Sequence, residues 1–207
     1  MSKSGWIAGV GLAIAMCLSN PVGADAQSLR FTPWLGLYAP TTDIGSVQAV
    51  EVGKQQSTFA FGGDLDIGGT TFLGLRAGAS FATTSDVPIE GIGCIGCSTR
   101  RNVFALTGGV VLRPMPMPLI RPYATAGAGV KWYDFNHDGV GVNALLNDQE
   151  RFTFNIGAGV LLMPDSPMGL TIEVSDYMSR FDFEGGESST QHDLFLKLGL
   201  SFAMGDR

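Results

Sequence analysis

Residues 121–135 read RPYATAGAGVKWYDF, and the order of residue types in this stretch decides the fold. Apolar residues alternate with small and polar ones, so that one set is Ala124, Ala126, Ala128, Val130 and Trp132 and the other is Tyr123, Thr125, Gly127, Gly129 and Lys131. A period of two is typical of a β-strand, whose successive side chains point to opposite faces. On a water-facing strand, glycine would only weaken the strand. Glycine beside an isolated charge therefore indicates a crowded interior, and the apolar face points outward.

The same alternation recurs along the chain after residue 28. We recognise eight segments, namely residues 29–38, 58–67, 71–82, 102–113, 121–135, 151–163, 169–181 and 193–203. Each has about the length that a tilted strand needs to cross a bilayer. Eight strands enclose an interior just wide enough for side chains, so small residues there make room for long polar ones. We predict an all-β fold, an eight-stranded antiparallel up-and-down transmembrane β-barrel.

The composition agrees with this prediction. Only 15% of the residues are charged and the mean hydropathy is +0.21. A run of about 18 apolar residues, which a membrane-spanning helix requires, does not occur after the N-terminal segment. A closed barrel is the other structure that satisfies every backbone hydrogen bond in lipid. The net charge of −6 excludes nucleic acid as a partner, because no basic stretch could neutralise its phosphates.

Residues 1–26 are predicted to be a cleavable signal peptide, which leaves residues 27–207 as the barrel. Lys3 supplies the positive charge, residues 7–18 form the apolar region, and Ala24-Asp25-Ala26 is a cleavage site of the A-x-A type. Lipidation at Cys17 is the alternative, but the bulky Met16 precedes that cysteine. The chain is therefore expected to leave the cytoplasm for the cell outer membrane.

The connections between the predicted strands alternate in length. Residues 68–70, 114–118 and 164–167 are short and rich in turn formers, whereas the connections after segments one, three, five and seven are longer and more polar. Outer-membrane barrels have short periplasmic turns and long extracellular loops. Both ends of the barrel chain are therefore expected in the periplasm.

The polar face of the predicted strands carries charges of both signs, which we expect inside the barrel. These residues are Asp64, Asp66, Arg76, Arg113, Lys131, Arg151, Glu173 and Lys197. Buried charges are tolerated when they are paired, so we expect Asp64 or Asp66 to bind Arg76 and Glu173 to bind Lys197. Such a network would plug the lumen, and a narrow pore is the functional alternative.

Asp176 does not fit the alternation, because it falls on the lipid face of its segment. A charge is costly there near the middle of the membrane. A β-bulge near Ser175, or a position close to the outer interface, would relieve this cost.

Cys94 and Cys97 lie in the long connection after the third segment and are predicted to form a loop disulfide in an oxidising compartment. A metal site formed with His137 and His192 is the rival interpretation, but the spacing matches no standard zinc motif. We therefore predict neither a metal site nor a cofactor site.

Ser188, Ser189, His192 and Asp193 are close in sequence and could suggest a hydrolase. A nucleophile and a base must converge in space, and no G-x-S-x-G motif frames these serines. We assign no catalytic residue and expect a protein that is not an enzyme.

Three stretches carry a resemblance to a known family: RPYATAGAGVKWYDF at 121–135, FTFNIGAGVLL at 152–162 and HDLFLKLGLSF at 192–202. They resemble the small outer-membrane β-barrels related to outer-membrane protein A and the opacity adhesins. The resemblance implies a Gram-negative outer membrane and a terminal aromatic residue that the barrel-assembly machinery reads. Phe202 occupies that position, although Ala203 to Arg207 follow it.

We therefore expect a monomeric, non-enzymatic outer-membrane barrel that acts as a structural envelope component or a surface interaction scaffold. Its partners would be the lipid bilayer, the assembly machinery during biogenesis and an extracellular ligand reached by the loops. The alternatives are a narrow pore for ions or small solutes, a loop-based lipid-modifying enzyme and a soluble lipocalin-like binder.

Overall fold

The structure is a computed structural model of the chain. It describes residues 29–42, 45–47, 50–52, 56–68, 72–91, 94–115, 117–136, 149–181 and 189–204. The side chains of residues 45–52, 84–100, 135, 136 and 181 are not part of this description. The predicted signal peptide, residues 1–26, lies outside it.

The described residues form ten β-strands. They are β1 (Leu29–Pro40), β2 (Gly45–Val47), β3 (Val50–Val52), β4 (Thr58–Ile67), β5 (Leu73–Gly91), β6 (Cys94–Leu112), β7 (Ile120–Asn136), β8 (Gln149–Leu162), β9 (Met168–Phe181) and β10 (Ser189–Met204). No helix in the described part of the chain has the length and apolar character needed to cross a membrane.

Eight of the described strands close into a barrel. Each long strand pairs antiparallel with its neighbours in the chain, and β1 also pairs with β10, so the ring runs β1-β4-β5-β6-β7-β8-β9-β10. The short strands β2 and β3 form a ladder that joins the far end of β5. The predicted eight-stranded antiparallel barrel is confirmed.

The predicted strand bounds agree best where a strand belongs wholly to the barrel. The structure gives β4 the predicted bounds of 58–67, whereas β5 and β6 include residues 83–91 and 94–101, which we predicted as parts of a loop. Val87 pairs with Thr99 in this extension, and the register shifts between Ala82 and Ser85. The alternation fades there because strands that project beyond the barrel wall need no apolar face, although their backbones still pair.

The two ends of the barrel differ as predicted. Short connections join β4 to β5, β6 to β7 and β8 to β9 at the end where β1 begins and β10 finishes. The longer connections and the extended hairpin of β5 and β6 lie at the opposite end. We call these the turn end and the loop end.

The outward face of the barrel is apolar. Leu35 is 59% exposed, Phe152 58% and Leu198 54%, and the strands between them present many more large apolar side chains. The inward face of β10 shows the opposite character, because Gln191, Asp193, Lys197 and Ser201 are buried. The interpretation of the apolar face as the outer face is confirmed, and this is the reverse of a soluble lipocalin-like barrel.

Candidate functional site

Six charged side chains meet inside the barrel near its turn end. Their strands bring them together because alternate residues of a strand point to one face. We call this set the turn-side cluster, and it consists of Asp64, Asp66, Arg76, Arg113, Glu173 and Lys197. Three carboxylates face three cations, so the cluster is balanced in charge.

Arg76 holds the turn-side cluster together across the barrel. Its Nε lies 2.6 Å from Asp66 Oδ1 on the neighbouring strand, and its NH1 lies 2.5 Å from Glu173 Oε2 on β9. Lys197 Nζ lies 3.0 Å from Glu173 Oε1 and 3.6 Å from Asp64 Oδ2. Two of the expected contacts, Arg76 with Asp66 and Lys197 with Glu173, are thus present in the structure.

Asp66 and Glu173 have further donors. Arg113 NH2 lies 3.0 Å from Asp66 Oδ2, and the Tyr123 hydroxyl donates to Glu173 Oε2 over 2.8 Å. Burial of a charge is tolerated when such partners replace water. The cluster is therefore a packed part of the interior.

A second group of polar side chains lies nearer the loop end. We call it the loop-side cluster, and it consists of Tyr38, Arg101, Lys131, Tyr133, Ser179 and Asp193. The side chains of Lys131 and Asp193 are both 0% exposed, and Lys131 Nζ lies 2.7 Å from Asp193 Oδ2. Lys131, predicted to face the lumen, has a carboxylate partner that sequence reasoning did not assign to it.

Tyrosine hydroxyls complete the shell around Asp193. Tyr38 donates to Asp193 Oδ1 over 2.7 Å and Tyr133 donates to Oδ2 over 3.1 Å. Arg101 donates to the Tyr38 hydroxyl over 3.2 Å, and its guanidinium carbon lies 4.6 Å from the centre of the Tyr133 ring. Asp193 could have been identified from the sequence, because it lies on the polar face of the last predicted segment. Arg101 could not, because it lies in a predicted loop.

Four aromatic rings lie between the charged groups of the two clusters. We call them the aromatic layer, and they are Trp34, Tyr38, Tyr177 and Phe195. Phe195 is 0% exposed, and its ring centre lies 4.8 Å from that of Tyr177, 5.1 Å from Tyr38 and 6.2 Å from Trp34. Lys197 Nζ of the turn-side cluster lies 5.0 Å from the centre of the Trp34 ring. Since Tyr38 also binds Asp193, the aromatic layer touches both clusters, and the three form one packed body.

Two further arginines lie at the turn end of the lumen. Arg30 NH2 donates to the Pro164 carbonyl over 2.8 Å, and Arg121 NH2 lies 3.1 Å from Asp165 Oδ1. Both arginines are buried, whereas the side chain of Asp165 is 63% exposed. They link the barrel wall to the connection between β8 and β9. The alternation of their strands places both on the inward face, so they could have been predicted as lumen residues.

Arg151 faces inward at the loop end of β8. Its Nε and NH2 donate to Gln149 Oε1 over 2.9 Å and 2.7 Å. Arg151 thus lies near the start of β8, closer to the loop end than the two clusters.

Asp176 lies on the outward face without a bulge. Ser175 and Asp176 pair in continuous register with Gly157 and Ile156, so the bulge near Ser175, one of the two alternatives, is absent from these strands. Asp176 Oδ2 instead lies 2.7 Å from His192 Nδ1, which belongs to the loop end of β10. A polar partner on the neighbouring strand, together with this position in the barrel, accommodates the charge.

The described residues that were considered for catalysis do not share one face of the barrel. His192 faces outward and Asp193 inward because they are adjacent in one strand, while Ser188 and His137 lie outside the described residues. Within the described part of the chain, no group of three or more His, Cys, Asp or Glu side chains could hold a metal ion. His192 and Asp193 are adjacent in sequence, but alternate residues of a strand point to opposite faces, so their side chains are kept apart.

The backbones of Cys94 and Cys97 lie in β6 and pair with Gly91 and Ile89 of β5. Their position in a loop was therefore predicted wrongly, since the connection continues as paired strands. Their side chains are outside the description, so the disulfide stays a prediction.

No protein-family model and no curated protein matches the sequence. Solved structures do match the fold. The chain is similar to neisserial surface protein A, with 9% identity, a TM-score of 0.58 and coverage of 85% of this chain and 97% of that protein. It is similar to the outer membrane protein OprG from Pseudomonas aeruginosa, with 13% identity, a TM-score of 0.55 and coverage of 89% and 99%.

A third match is the outer membrane protein AlkL, solved in lipid bilayers, with 13% identity, a TM-score of 0.51 and coverage of 91% of this chain and 96% of that one. At these identities the comparison shows a shared fold. The chain thus has the fold of small outer-membrane β-barrels.

Proposed function

We propose that this chain is a non-enzymatic outer-membrane barrel with a closed lumen, which serves as a rigid scaffold for its long connections at the cell surface. The role would be that of a structural envelope component or a surface interaction protein. The observation that carries the proposal is the packing of the interior, where two charged clusters and the aromatic layer between them fill the lumen.

The fully buried side chains support a closed lumen. Tyr38, Arg101, Lys131, Tyr177 and Phe195 are among the largest side chains in the barrel with less than 2% exposure. Arg101 binds the Tyr38 hydroxyl and Lys131 binds Asp193 across the barrel, rather than standing along an open passage. A pore would instead present polar groups to water along its whole length.

The outward face supports the membrane location. Large apolar side chains that stay exposed over a wide band would be an aggregation hazard in water, and lipid is the environment that suits them. The shared fold with outer-membrane proteins and the predicted signal peptide point to the same compartment. The partners that follow are the lipid bilayer and the assembly machinery, and we expect a monomer.

Planar-bilayer recordings test the closed lumen. Refolded wild-type protein is expected to give no conductance steps, because Phe195 and the rings around it block the passage. The Phe195→Ala variant is expected to give brief steps, because it removes the centre of the aromatic layer. The matched control is Phe152→Ala, which removes an outward ring and is expected to stay silent.

Regular steps from the wild-type protein would contradict the closed lumen and would favour the narrow-pore function. If wild type and Phe195→Ala were both silent, the two charged clusters would close the lumen without the centre of the aromatic layer.

A further inference from the structure

A patch of the lumen wall on β7, β8 and β9 combines glycines with small polar side chains. Thr125 and Ser175 pair in register with Gly157 from either side, and Gly127 pairs with Asn155. We call these five residues the β7–β9 patch. On β9 it lies between Glu173 of the turn-side cluster and Tyr177 of the aromatic layer, so it occupies the interval that separates them.

Three side-chain oxygen atoms of this patch have no protein partner among the described residues. Thr125 is 7% exposed, Asn155 8% and Ser175 1%, yet Thr125 Oγ1, Asn155 Oδ1 and Ser175 Oγ form no hydrogen bond there. Buried polar groups almost always have a partner, because losing the bonds to water is costly. Because the three atoms lie on the adjacent strands β7, β8 and β9, one shared partner can account for all of them.

The glycines of the patch explain how these atoms share one place. An added Cβ at Gly157 would lie 2.7 Å from Thr125 Oγ1 and 3.0 Å from Ser175 Cβ. An added Cβ at Gly127 would lie 2.7 Å from Asn155 Oδ1. Because glycine has no Cβ, Gly157 and Gly127 leave room for the Thr125 hydroxyl and the Asn155 amide oxygen beside the lumen wall.

We propose that the β7–β9 patch is an internal hydration site, where ordered water bridges Thr125, Asn155 and Ser175. A buried water needs between about two and four polar partners, and this patch offers that number. The two hydroxyls can donate or accept and the amide oxygen accepts, which suits water better than an ion. The neighbouring turn-side cluster is balanced in charge, so it offers no net attraction to a cation or an anion.

The site divides the lumen into a hydrated part and a dry part. Water bound at the patch lies beside the turn-side cluster, whereas the Phe195 ring packs against the rings of Trp34, Tyr38 and Tyr177. The barrel can then be wet inside and still be closed. This inference is independent of the cellular role proposed above.

Magnetic resonance of the protein refolded in lipid nanodiscs tests the site. Cross-relaxation from long-lived water is expected at Gly157 Hα and Ser175 Hβ, and no such signal is expected at the ring of Phe195, which serves as the dry reference. Thr125→Val keeps the shape of the side chain and removes its hydroxyl, so the water signal at Gly157 is expected to fall at least by about half. Water signals at the patch no stronger than those at Phe195 would overturn the proposal.

Urea unfolding of the same variant tests independently whether water binds the Thr125 hydroxyl. If water satisfies the hydroxyl, Thr125→Val raises the unfolded-to-folded ratio about fivefold, as the loss of a buried hydrogen bond does. If the hydroxyl is dry and unpartnered, its removal makes the protein more stable, and the proposal is wrong. Thr32→Val is the matched control, because the Thr32 hydroxyl donates to Ser201 Oγ over 2.9 Å and its loss should be destabilising in both cases.

Discussion

Replacing Lys131 by Met is expected to lower the free energy of unfolding by about 3–5 kcal/mol, because it leaves a buried carboxylate without its cation. The side chains of Lys131 and Asp193 are both 0% exposed, so water cannot replace the lost partner. The Tyr38 and Tyr133 hydroxyls still donate to Asp193, but they carry no charge. Urea titration in lipid vesicles, followed by the mobility of the unheated protein in gels, measures the change.

The double variant Lys131→Met/Asp193→Leu separates the loss of pairing from the loss of packing. It is expected to recover part of the stability, because no buried carboxylate is left without a cation, although the Tyr38 and Tyr133 hydroxyls lose their acceptor. Asp165→Asn is the exposed control, since it breaks the pair with Arg121 where the side chain of Asp165 is 63% exposed. That change is expected to cost about 1 kcal/mol or less. A double variant as unstable as the single one would contradict the role given to the pair.

Replacing Leu198 by Arg is expected to cost about 2–4 kcal/mol, because it puts a charge on the lipid face near the middle of the membrane. Leu198 is 54% exposed and pairs with Leu35 on one side and Ile172 on the other, all on the outward face. The same titration measures the change.

The depth of the substitution provides the control. Met204 is the last residue of β10, at the turn end, and Met204→Arg is expected to cost about 0–1 kcal/mol because the charge can reach the interface. If Leu198→Arg were neutral and made the protein more soluble, the outward face would contact water, and the membrane interpretation would fail.

The strands of the barrel wall could be predicted from sequence, because lipid-facing apolar residues alternate with lumen-facing residues along each strand. In β4 the predicted and observed bounds agree at 58–67, and in β7 the glycines beside Lys131 correctly identified the inner face. The prediction failed outside the lipid-facing band, in residues 83–91 and 94–101, which pair as strands although their sequence shows no alternation.

The contacts inside the lumen could be predicted only between neighbouring strands. Asp66 and Arg76 pair in register across β4 and β5, so their contact follows from the hairpin. The contact of Arg76 with Glu173 joins β5 to β9 across the barrel and depends on the stagger of all the strands. The bond of Lys131 on β7 to Asp193 on β10 depends on it too, and alternation holds no information about stagger.

Fractionation of the cell envelope tests the central claim that this chain forms a barrel in the outer membrane. The protein, expressed in a Gram-negative host and separated on a density gradient, is expected to sediment with the outer membrane. It should also run with a different gel mobility before and after heating, as folded barrels do. Recovery in the soluble periplasmic fraction, with the same mobility in both states, would contradict the account and favour a soluble binding protein.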